Sequence, residues 1–85
     1  MAARLALLEA WQRLIDQVPE EDRDRSDAWL ADNSGVPQAR IAWSRRTRNQ
    51  VAHPGPGEGA VDRAELSAVL AVVEKIDKRL RDRNC

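Results

Sequence analysis

Leu7, Leu8, Trp11, Leu14, Ile15 and Val18 recur at spacings of three and four, which predicts an amphipathic helix over residues 3–18. Pro19 ends it, because a proline inside the next turn would lack the amide that the helix ladder needs. The stretch PEEDRDRSD, residues 19–27, is polar and mixed in charge, and fits either a loop or the first turns of the next helix. A short second helix is expected within SDAWLADNSG, residues 26–35. Ser26 or Asp24 would cap its start, Trp29 and Leu30 would face inward, and Gly35 would terminate it. Pro37 suits the first turn of a third helix that runs to about Ala52.

The run PGPGEG, residues 54–59, then breaks the chain. Asp62 followed by Glu65 resembles a capping box with Asp in place of Ser or Thr, and it opens a long fourth helix over about 63–82. The apolar stripe of that helix is Leu66, Val69, Leu70, Val73, Ile76 and Leu80. No segment sustains the alternation of a strand. The pattern therefore predicts an all-α fold: one domain over 1–85, a small antiparallel four-helix bundle with one short helix.

Length and composition sharpen this picture only in places. A chain of 85 residues buries only roughly 60% of its unfolded surface, so a second copy that covers part of it would be stabilising. The three tryptophans are expected as core or interface anchors, with nucleobase stacking as the alternative role for Trp43. Cys85 is the only cysteine, which leaves no internal disulfide and no metal-binding spacing, and a reducing, cytoplasmic compartment is expected. The apolar run near the start is short and interrupted by Arg4 and Glu9, so neither a signal peptide nor a membrane span is expected.

Fourteen basic residues balance fourteen acidic ones, but their distribution is uneven. From Val36 to His53 there is no acidic residue, while Arg40, Arg45, Arg46 and Arg48 are all present. Acids collect instead between Asp16 and Asp32. A local positive field of this kind suits a phosphate-bearing ligand, although arginines paired with the acidic segment would equally make a solvated helix face. His53, the only histidine, stands five positions after Arg48 and directly before Pro54. On a continuing helix it would lie about 140° from Arg48. Pro54 disfavours helical geometry at His53, which frees the imidazole to turn toward Arg48 or toward a neighbouring subunit. An imidazole that titrates near neutrality suits proton transfer; a cap at the helix end is the simpler role.

The segment RNQVAH, Arg48 to His53, resembles the signature of HEPN domains (higher eukaryotes and prokaryotes nucleotide-binding): an arginine, four to six residues, then a histidine, often with a polar residue such as Asn49 after the arginine. In that family the motif ends the third helix of a four-helix bundle, where the periodicity also sets it here. The resemblance implies a metal-independent endoribonuclease of toxin or defence type, without a cofactor, whose homodimer joins two copies of the motif in one cleft. By the same resemblance His53 would move protons at the ribose 2′-hydroxyl and the leaving oxygen. Arg48 would bind the scissile phosphate, Asn49 would hold a phosphate or orient the histidine, and Arg45, Arg46 and Arg40 would guide RNA to give a 2′,3′-cyclic phosphate. An antitoxin or a larger defence protein would be a further partner. One toxin subgroup adds a tyrosine two positions after the histidine; here that position is Gly55, and the chain has no tyrosine. Some family members are instead non-catalytic binding or interaction modules, and an unrelated helical interaction domain is the third expectation.

Overall fold

The computed structural model describes residues 2–52 and 61–83. They form four α-helices: α1 (Ala2–Gln17), α2 (Ser26–Ser34), α3 (Gln38–Ala52) and α4 (Arg63–Arg83). A 3-10 helix over Glu20–Arg25 joins α1 to α2, and no strand occurs among the described residues. The fold is thus an all-α small helical bundle. The polar stretch after Pro19 is neither loop nor the start of α2. It tightens into its own 3-10 helix, where Arg25 donates from Nε and Nη2 to Asp22 Oδ1 at 3.0 and 2.8 Å. That hydrogen bond, and then the charge of Asp22, raise the pKa of the exposed Arg25 guanidinium. No side chain caps α2, so neither Ser26 nor Asp24 has the expected role; the position before its first turn is Arg25.

The other boundaries follow local chemistry. Gly35 stands at φ 78°, the left-handed conformation that ends a helix without a Cβ penalty, and its amide donates to the Ala31 carbonyl at 3.0 Å. The free Ser34 carbonyl of the same terminus accepts from Arg79 Nη1 of α4 at 2.9 Å. At the start of α4 the Glu65 amide donates to Asp62 Oδ1 at 2.8 Å, which is half of the expected capping box. The Glu65 side chain turns instead to α3, where its Oε1 accepts from the Thr47 hydroxyl at 3.4 Å.

The core is built mainly between α1 and α4. Leu7, Ala10, Trp11 and Leu14 of α1 pack with Leu66, Val69, Val73, Ile76 and Leu80 of α4. Val18, Leu30, Val36 and Ile41 complete it. The α4 positions alternate in steps of three and four, so one stripe stays inward along the whole helix. Leu70 lies one step of about 100° beyond Val69 and is only half-buried, so it belongs to the flank of the stripe rather than its centre. α1 and α4 lie side by side with their C-terminal ends together, where Gln17 Nε2 donates to Asp77 Oδ1 at 2.9 Å. α3 runs against both: its start is beside Arg79 through Ser34, and its end is beside Glu65 through Thr47.

Candidate functional site

α3 buries an unusual set of side chains. Ile41 is its only fully buried apolar residue, and the next two inward positions are the hydroxyls of Ser44 and Thr47. Each hydroxyl has a partner: Ser44 donates to the Arg40 carbonyl at 3.0 Å, and Thr47 to Glu65. The inner face is therefore polar toward the C-terminal half of α3, and that half carries Arg48 and Asn49.

The four arginines of α3 do not form one stripe. At about 100° per residue, Arg40, Arg48, Arg45 and Arg46 fall at about 0°, 80°, 140° and 240° around the axis. Arg40 and Arg46 are exposed and make no ion pair among the described residues. Arg45 points toward α2, where its Nη2 meets Asp27 Oδ2 at 2.9 Å. The acidic segment thus neutralises one of the four. The sequence pattern held the general signal for this pairing, a basic helix opposite an acidic stretch, but not that Asp27 would be the partner.

Arg48 is half-buried. Its Nη1 donates to the Asn49 side-chain oxygen at 3.2 Å, while its Nε is buried with no partner. No carboxylate pairs with it among the described residues. An ion pair would cancel much of its charge, and full solvation would leave its fork mobile; Arg48 has no such pair among the described residues and is only partly exposed. It is a guanidinium held by its own helix, with Nε lacking a partner and no ion pair among the described residues. Asp27 Oδ1 is likewise buried and unpartnered. Each of these orphans costs free energy unless something supplies its missing hydrogen bond.

Of the candidate residues, the structure brings Arg48 and Asn49 into contact, ties Arg45 to Asp27, and sets Arg40 and Arg46 on other sides of α3. His53 lies outside the described residues. No group of three His, Cys, Asp or Glu side chains able to hold a metal ion occurs among the described residues, and no helix there is long and apolar enough to cross a membrane. No protein-family model, curated protein or solved structure gives a match to this chain.

Proposed function

We propose that this chain is a HEPN-like, metal-independent endoribonuclease that acts as a homodimer, with Arg48 and His53 as its working pair. The observation that supports it most is the state of Arg48: a half-buried guanidinium near the end of the third helix, unpaired with any described carboxylate and short of a partner at Nε. With no ion pair among the described residues its charge is available to a phosphate, and a planar fork suits two phosphate oxygens at once. In the proposed reaction the ribose 2′-oxygen attacks phosphorus as an imidazole takes its proton. The bond from phosphorus to the 5′-oxygen breaks, and the departing oxygen receives a proton. A 2′,3′-cyclic phosphate and a 5′-hydroxyl result. Arg48 stabilises the charge that grows on the phosphoryl oxygens. Two proton transfers with one histidine per chain call for the second copy, whose His53 supplies the other group.

The first expected outcome is that RNA is cleaved in EDTA by the wild type. His53→Ala should abolish cleavage with RNA affinity and circular dichroism retained. Arg48→Ala should weaken cleavage and binding together, and Arg48→Lys should restore them only in part. Sedimentation at micromolar concentration should show a dimer. Cleavage that survives His53→Ala, or a monomer that is fully active, would rule out this mechanism.

A second reading, a non-catalytic RNA- or nucleotide-binding module of the same type, draws on the scatter of the arginines and on the Asp27–Arg45 ion pair, both of which thin the continuous basic track that a long RNA needs. It is distinguished by RNA binding that depends on Arg48 in the absence of any cleavage.

A further inference from the structure

Between α3 and α4, on a side of α3 away from Arg45 and its Asp27 contact, runs an open groove of about 740 Å³. Its floor is Pro37, Ala39 and Trp43 from α3 and the turn before it, with Ala68, Ala71 and Val72 from α4, and Arg40 stands at its edge. The alanines and Pro37 are exposed, and Trp43 and Val72 are half-buried. Helical spacing extends the α4 wall to Ala64, one turn before Ala68, and to Lys75, one turn after Ala71; both are exposed. Ala64 to Lys75 spans about 17 Å at 1.5 Å per residue, which is three turns of helix.

The α3 side of the rim is cationic, with no acid on that helix. Arg40, Arg46 and Lys75 are exposed and have no ion-pair partner among the described residues. On α4, Glu65, which accepts from Thr47, and the exposed Glu74 each lie about 60° round the helix from a floor alanine, Ala68 and Ala71 respectively, so α3 and Lys75 supply the positive side. We propose that this groove docks an acidic amphipathic helix of a partner protein, of three to four turns. Small side chains in the floor let a helix backbone come close, Trp43 offers one large apolar surface, and the cationic side of the rim pairs with carboxylates beside the apolar stripe of the incoming helix.

Other occupants fit the groove less well. A two-fold contact of this face with itself would bring two α3 rims without carboxylates into one interface. The chain's own acidic 3-10 helix, EEDRDR, has no apolar residue with which to fill the floor. RNA needs donors for its phosphates and several aromatic platforms for its bases, whereas this floor is aliphatic apart from Trp43. The groove shares Arg40 and Arg46 with the arginines expected to guide RNA but excludes Arg48, so the test substitutes only α4 residues, and peptide binding is read apart from RNA cleavage.

The test uses the full chain and a synthetic 15-residue helix of Leu, Ala and Glu with leucines along one face, beside a matched peptide with Lys in place of every Glu. Calorimetry should show saturable binding of the acidic peptide only, and amide resonances of Ala39, Ala68 and Ala71 should shift. Ala71→Glu, at an exposed helical position, should weaken binding about tenfold or more with circular dichroism unchanged. Lys75→Glu should weaken the acidic peptide and improve the basic one. Failure of the acidic peptide to bind, equal binding of both peptides, or indifference to Ala71→Glu would overturn the proposal. So would loss of self-association, or of oligouridine binding, in Ala71→Glu without any peptide binding by the wild type, since the groove would then serve a second copy or RNA.

Discussion

Arg45 and Arg48 are three residues apart on neighbouring sides of α3, and one carboxylate separates their fates. Asp27 holds Arg45 at 2.9 Å, whereas the side-chain partner of Arg48 among the described residues is Asn49. The pair is worth little to the fold, at most about 1 kcal/mol, because half-exposed arginines are screened by water. Its larger effect is on the field: a carboxylate on Arg45 lowers the potential that a phosphate meets on that side of α3. Asp27→Asn should therefore leave the melting temperature nearly unchanged. It should tighten RNA binding and steepen its dependence on salt, as one more cation becomes available for phosphate contact. Fluorescence anisotropy with a labelled oligonucleotide at two salt concentrations checks this; an unchanged slope would remove Arg45 from the proposed RNA surface.

Two helix ends carry an identifiable share of the stability. At the end of α2, Gly35→Ala puts a Cβ on a residue at φ 78° and 3.3 Å from Arg79 Nη1, the atom that caps the Ser34 carbonyl. The backbone strain alone is about 1 kcal/mol, and any shift of Arg79 adds an unsatisfied carbonyl. Gly35→Asn should cost less, since Asn tolerates that conformation. At the start of α4, Asp62→Ala removes the acceptor for the Glu65 amide and should cost about 1 kcal/mol. Urea melts of the three variants should give Gly35→Asn a higher midpoint than Gly35→Ala. If Gly35→Ala proves neutral, the left-handed cap is not what ends α2.

The bundle is fastened unevenly. α1 and α4 share most of the core, whereas α3 contributes one fully buried apolar side chain, Ile41, and two hydroxyls. Apolar area sets most of the driving force, so α3, like α2 with Leu30 as its one buried apolar residue, opens at a lower cost than α1 or α4. Hydrogen exchange should find its amides less protected than those of the central turns of α1 and α4; equal protection would show that the polar inner face of α3 holds as well as an apolar one. In the core itself, Leu66→Ala should destabilise by about 2–5 kcal/mol. Leu70→Ala should cost about 1–2 kcal/mol, in proportion to the smaller area it hides. Denaturant melts with the opposite order would place the centre of the stripe on the wrong side of α4.

The four helices were legible in the order of residues because their causes act within a few positions of one another. The apolar spacing of Leu7 to Leu14 and of Leu66 to Leu80 is local. So are the glycine at 35, the proline at 37, and Asp62 three residues before Glu65. The position of Arg48 near the end of the third helix follows from the same local signals, so this part of the candidate site could be found without coordinates. What the residue order left open depends on which faces meet. Glu20–Arg25 forms a 3-10 helix, Leu70 sits on a flank, Arg45 is neutralised by Asp27, and Arg48 keeps an orphan donor. Each of these follows from the way one element lies against the next. The charge of an arginine is written in the sequence; whether that charge is spent inside the molecule or available outside it depends on a carboxylate eighteen residues away, and only packing brings Asp27 to Arg45.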